Sequence, residues 1–123
     1  MGMKDNVVRD KSKAFAIRVV KLYQYLCDER KEYVLSKQML RSGTSVGANV
    51  KEAIRGQSKA DFSAKMNIAL KEISETEYWL ELLYETDYLN ETQFNSIFAD
   101  CQELLKILYS IVKSSQSKQK NQK

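Results

Sequence analysis

KADFSAKMNIALKEISETEYWLELLYETDY, residues 59–88, decides the fold. Phe62, Met66, Ala69, Ile73, Thr76, Leu80 and Leu83 recur at alternating steps of four and three. That period keeps one stripe of an α-helix facing a partner helix, and it suits helices packed at about 20° to one another. At 1.5 Å per residue the segment makes a rod of roughly 45 Å. Ser58 stands where an N-cap belongs, and Asp61 places a carboxylate in the first turn, where the helix dipole favours it. A stripe of this length cannot bury itself, so the rest of the chain has to supply partner helices.

Three further segments do so. Residues 7–30 carry Phe15, Val19, Leu22 and Leu26, and a second stripe of Ala16, Val20, Tyr23 and Cys27 follows one residue later. The charged run Asp28–Glu32 reads as a solvated helix end and turn. Residues 91–115 carry Phe94, Ile97, Phe98, Cys101, Leu104, Leu105, Leu108, Ile111 and Val112, with Asn90 and Gln93 in a capping-box pattern. Residues 34–56 carry Leu35, Met39, Val46, Val50 and Ile54. The middle of that segment, Arg41–Asn49, is rich in Gly, Ser and Thr, which are poor helix formers and suggest a loop. The apolar period stays in phase across it, and a helix is expected. Gly43 and Gly47 then form a small-residue groove that serves either close packing inside the bundle or a helix crossing between subunits.

Composition agrees with an all-α chain. The 123 residues contain no proline and four glycines, with 43% hydrophobic and 29% charged residues. This is globular composition of one-domain size. Short connections between helices predict an antiparallel, up-down-up-down four-helix bundle over residues 7–113. Residues 1–6 and the Ser, Gln, Asn and Lys tail 114–123 are expected to be disordered. The N-terminus lacks the apolar core of a signal peptide and no segment is apolar enough to span a bilayer, so a cytoplasmic protein without a membrane partner is expected.

Several chemistries are disfavoured. The chain has no histidine, which removes the commonest general base and metal ligand. Cys27 and Cys101 read as buried free thiols rather than a disulfide scaffold. Glu77, Glu81 and Glu85 line one helix face but lack the histidines of bundle metal sites. No glycine-rich phosphate loop is present. No enzyme activity, cofactor or metal is expected.

Charge is the informative feature. The net +4 divides unevenly: residues 1–59 carry 13 Lys and Arg against 6 Asp and Glu, residues 60–112 carry 3 against 10, and residues 113–123 carry 4 against none. The basic half could meet phosphate or the acidic third helix of another subunit, or it could simply be solvated. Arg18, Lys21, Lys37, Arg41, Lys51, Arg55 and Lys59 are the candidate nucleic-acid contacts. Tyr78, Trp79, Tyr84 and Tyr88 fall in the acidic helix and read as core or protein interface. Gly43, Gly47, Tyr78 and Trp79 are the candidate oligomer contacts.

The segment Leu35–Ala53, LSKQMLRSGTSVGANVKEA, together with Ala69–Leu82, ALKEISETEYWLEL, resembles the bacterial proteins encoded by intervening sequences in 23S rRNA genes, often labelled ribosomal proteins. The resemblance covers roughly residues 7–113. It implies an antiparallel four-helix bundle assembled as a homopentamer, and a relation to the accessory variability protein of diversity-generating retroelements. That relative implies nucleic acid, or a reverse transcriptase-like protein, as partner. Arg41, Ser42, Ser45, Gly47, Asn49, Glu52, Ser74 and Glu77 hold the motif positions, most of them expected to be structural. Asn49, Glu52, Ser74 and Glu77 are expected to satisfy one another between the second and third helices. The functional expectation is a non-enzymatic oligomer that binds RNA or DNA, or a nucleic-acid-associated protein, through its basic surface. The alternative is a structural or protein-interaction scaffold.

Overall fold

Four helices account for nearly every residue of the computed structural model: α1 Met3–Asp28, α2 Leu35–Ile54, α3 Lys59–Glu85 and α4 Glu91–Asn121. The structure describes the backbone of residues 3–121 and the side chains of residues 6–117. Among the described residues there is no strand. The four helices enclose one core, in which Phe15, Leu26, Met39, Met66, Ile73, Leu80, Leu83, Leu104 and Leu108 are essentially inaccessible to water.

The expected stripes supply that core. On α3, Met66, Ala69, Ile73, Thr76, Leu80 and Leu83 are buried as the four-three spacing requires, while Phe62 is half-buried at the edge. Both helix-start signals work. The Ser58 hydroxyl oxygen accepts from the Asp61 N–H at 3.0 Å. Asn90 and Gln93 close a reciprocal capping box, with bonds of 2.8 and 2.9 Å.

The segment Arg41–Asn49 is continuous helix. Its polar side chains are tied to their own helix: Thr44 Oγ1 donates to the Leu40 carbonyl at 2.7 Å and Asn49 Nδ2 to the Ser45 carbonyl at 2.9 Å. Packing supplies what propensity lacks. A Cβ on Gly43 would stand 2.9 Å from both γ-carbons of Val19, so the glycine lets α1 come in close. Gly47 approaches the Ser12 carbonyl oxygen, which a Cβ would meet at 3.3 Å. The glycine pair therefore serves the α1–α2 crossing inside this chain, the first of the two readings its spacing allowed.

Other contacts fix the remaining neighbours. Ser42 and Thr76 share a buried 2.8 Å hydrogen bond between α2 and α3, and Lys65 pairs with Glu52 further along. Cys101 lies against the Ile73 carbonyl, and Tyr84 stacks on Phe94 at 4.3 Å, joining α3 to α4. Lys11 with Glu103, and Arg18 with Asp100, join α1 to α4.

Several boundaries differ from the sequence expectation. Helix α1 begins at Met3, inside the segment 1–6 expected to be disordered, and α4 runs to Asn121, through most of the tail expected to be so. Extending an existing helix adds one hydrogen bond per residue fixed, without a new nucleation cost. Ile111, Val112 and Ser115 remain buried and anchor the extension. Residues 1–2 and 122–123 of those expectations lie outside the described residues. Helix α3 stops three residues early, because Asp87 takes a left-handed φ of 70°. The Asp87 N–H bonds to the Tyr84 carbonyl and the Tyr88 N–H to the Leu83 carbonyl, the paired bonds of a Schellman ending.

The α1–α2 turn is also not simply solvated. Glu32 is buried, and its carboxylate accepts from the N–H groups of Val34, Leu35 and Ser36 at 3.1, 3.0 and 2.6 Å. It caps the first turn of α2, where helix N–H groups have no internal partner. Burial pushes the Glu32 carboxyl up, but the three backbone donors, with the Ser36 hydroxyl, outweigh it and hold it below the usual carboxylate range.

Candidate nucleic-acid interface

Where α1 and α2 diverge outside the glycine contact, they leave a groove of about 600 Å³. Its floor is small and mostly apolar: Ala16, Thr44, Gly47, Ala48 and Ile54. Its rim is basic, with Arg9 and Lys13 on α1, Lys51 on α2 and Arg55 at the C-cap just past α2. Asp10 is the one acid in the lining, and it pairs with Arg9 at 3.1 Å. Lys13, Lys51 and Arg55 are exposed and enter no ion pair among the described residues. Close approach of α1 and α2 at Gly43 and Gly47 thus brings cations from two helices to one channel.

The seven cations singled out from sequence do not form one surface. Lys51 and Arg55 share the groove. Lys37 lies on the same side of α2 but about 21 Å from Lys51 along the helix. Arg18 is engaged by Asp100 at 2.6 Å and by the Ser96 hydroxyl at 2.7 Å. Lys21 shares with it a shallow depression between α1 and α4, lined also by Leu22 and Tyr25. Arg41 is held by Glu72 and Glu75 of α3. Lys59 is exposed at the start of α3. The sequence reading missed Arg9 and Lys13. A usable signal was present: the Ala16, Val20, Tyr23, Cys27 stripe, continued backwards at four-three spacing, reaches Lys13 and Arg9.

The model of the 23S rRNA-intervening sequence protein family matches residues 4–110. The chain belongs to this family. It is also similar to a crystal structure from Bacteroides thetaiotaomicron, described as a protein of unknown function from the S23 ribosomal protein family. The two share 60% sequence identity over 90% of this chain and 99% of the other, with a TM-score of 0.88. No curated protein matches the sequence.

The family-motif residues are mostly spent on holding helices. Ser42 is buried and bonded to Thr76, and Ser45 accepts from Asn49. Asn49, Glu52, Ser74 and Glu77 do not satisfy one another as expected: Asn49 bonds within α2, Glu52 pairs with Lys65 at 3.6 Å, Ser74 is exposed, and Glu77 accepts from Gln102 of α4. Helical geometry explains the miss, because Glu77 sits on the α4 side of α3 while Asn49 and Glu52 lie towards its α2 side. Glu75 joins the α2–α3 seam instead. The Trp79 indole N–H at 2.9 Å and the Arg41 guanidinium hold its carboxyl below the usual range against partial burial. Trp79 is therefore half-buried in this seam, whereas Tyr78 is 55% exposed beside it, the rings edge-on at 5.2 Å.

Cys101 does not resemble an activated nucleophile. Cys101 is buried, and burial, with Glu77 and Glu81 nearby, pushes it up to about 12. Cys27 is half-buried, with Sγ 3.8 Å from the Glu32 carbonyl and 4.0 Å from the Ser36 hydroxyl. Among the described residues, no group of three or more His, Cys, Asp or Glu is placed to hold a metal ion. Among the same residues, no helix is long and apolar enough to cross a membrane.

Proposed function

We propose that this chain is a non-enzymatic subunit of a cytoplasmic homopentamer that binds RNA or DNA, or a nucleic-acid-associated protein such as a reverse transcriptase, through its basic α1–α2 face. The observation that carries the reading is the groove rim: three cations without acidic partners, drawn from two helices and facing one channel. The only acid in the groove lining, Asp10, pairs with Arg9, while outside the groove Arg18 and Arg41 are engaged by acids of α4 and α3. An antiparallel up-down-up-down topology belongs to the same proposal and is supported by the contacts Ser12–Gly47 and Val19–Gly43, in which the later residue of α1 meets the earlier residue of α2. The relation to the accessory variability proteins belongs to the same proposal.

The test is binding of labelled RNA and DNA across a salt series, with Lys51→Glu/Arg55→Glu as the variant. Affinity should fall steeply with salt in the parent and be lost in the variant, with helicity unchanged. Unchanged affinity in the variant removes the groove from consideration.

A second reading is a protein-interaction scaffold without nucleic acid. Exposed apolar side chains favour it: Ile17 and Val20 on α1, and Tyr78 on α3. Sedimentation of the intact protein tests the assembly that both readings share. A monomer at micromolar concentration would refute the pentamer.

A further inference from the structure

The shape of the groove narrows the class of nucleic acid, and this step rests on the reading just given. We infer that the α1–α2 groove takes a single strand, held by its phosphodiester backbone and independent of base identity. Three features lead there. The cations stand on both walls of a channel, not on a flat or convex face. Counted from the Ser12–Gly47 contact, Lys13 to Arg55 covers about 13 Å along the channel. A duplex is a wide convex cylinder and reaches only the rim, so it meets each cation from one side. A single backbone enters between the walls, and its phosphates are neutralised from both.

The floor agrees. Ala48 is exposed and Gly47 has no side chain, so the middle of the α2 wall raises nothing larger than a methyl group into the channel. Ser12 and Thr44 line the groove too, but their hydroxyls donate to the Arg9 and Leu40 carbonyls of their own helices, and the surface left by Ala16, Gly47, Ala48 and Ile54 is apolar and accommodates sugar and base faces. No aromatic side chain lines the groove, so the stacking platforms used by many single-strand binders are absent here and base preference is weak. With Arg9 shared with Asp10, about three phosphates are neutralised per groove, which sets a slope of log affinity against log salt of about −2 for a single strand.

The experiment uses fluorescence anisotropy on the full chain. Probes are an oligouridine of about 12 nucleotides, the same length of single-stranded mixed-sequence RNA, and the corresponding RNA duplex. Ala48→Leu raises the floor without altering charge, and Lys71→Glu changes charge at an exposed position in the middle of α3, outside the groove lining. The inference expects the single strands to bind at least about tenfold more tightly than the duplex, alike for both sequences. Ala48→Leu should weaken single-strand binding about tenfold and leave duplex binding unchanged, while Lys71→Glu changes either by less than about twofold. Circular dichroism checks that Ala48→Leu is folded. Photo-crosslinking of thiouridine-substituted strand to the parent protein gives an independent readout, expected on peptides containing Lys13 and Lys51. Equal affinity for strand and duplex, or crosslinks confined to other helices, overturns the inference while Lys51→Glu/Arg55→Glu still decides the broader reading. No binding of any probe at low salt overturns both.

Discussion

Replacing Gly43 with alanine tests how α1 and α2 are held together. In an open helix interior the change stabilises by about 0.8–1 kcal/mol, because glycine loses more backbone freedom on folding. Here the new Cβ would stand 2.9 Å from both γ-carbons of Val19 and 3.3 Å from its Cβ. Comfortable carbon contacts are about 3.5–4.0 Å, so the helices must part by roughly 0.5–1 Å. Val19 cannot rotate away cheaply, since a β-branched side chain in a helix strongly prefers one rotamer. Overpacking of this kind costs about 1–3 kcal/mol. Taking about 2 kcal/mol for the clash against about 1 kcal/mol of propensity, Gly43→Ala should destabilise by about 1 kcal/mol. Val19→Ala alone removes two buried methyl groups and should cost about 2 kcal/mol. In the double variant the alanine methyl occupies space that Val19 vacated, so the two 2.9 Å contacts vanish, the 3.3 Å contact between the two β-carbons is relieved by a small shift, and the propensity gain remains. The pair should be more stable than the sum of the singles by about 2 kcal/mol. Urea unfolding followed by far-UV circular dichroism measures all four proteins, with protomer concentration fixed so that association does not distort the comparison. Gly43→Ala more stable than the parent by about 1 kcal/mol, or additivity within about 0.5 kcal/mol, would refute the reasoning.

Three further outcomes are expected. Glu32→Gln weakens three backbone hydrogen bonds at the start of α2 and should cost about 1–3 kcal/mol at neutral pH by urea unfolding. Because the folded Glu32 carboxyl lies below its ordinary 4.5, its contribution is present above that pH and is lost as the pH falls through the folded value, so the gap between parent and variant should close in acid; a gap independent of pH would count against the cap. Asp87→Gly should raise stability by about 1 kcal/mol, since glycine carries no Cβ penalty at a φ of 70°; a loss of stability would show that the aspartate side chain contributes something the backbone geometry does not reveal. Cys101 should resist thiol reagents at neutral pH until the protein is denatured, read by colorimetric thiol titration, and rapid modification in the native protein would contradict its burial.

Periodic signals along the chain were legible because each concerns residues three or four apart on one helix. The α3 stripe, the Ser58 cap and the Asn90–Gln93 box could be read directly from sequence. The Gly43–Gly47 spacing was legible as a close approach, but not which helix approaches, since that depends on a contact with Val19 far away in sequence. The candidate site was half legible. Lys51 and Arg55 stood out by charge, whereas Arg18 and Arg41 carry the same charge and are engaged by Asp100, Glu72 and Glu75 from other helices. The sequence by itself determined the helices, their apolar faces and the excess of basic residues in its first half, because these depend on local period and composition. Tertiary structure alone decided that Glu32 is a buried cap, that α1 and α2 leave a channel beside their glycine contact, and which cations face it unpaired. Those depend on the relative placement of helices, and a charge gains or loses a partner only when another helix arrives.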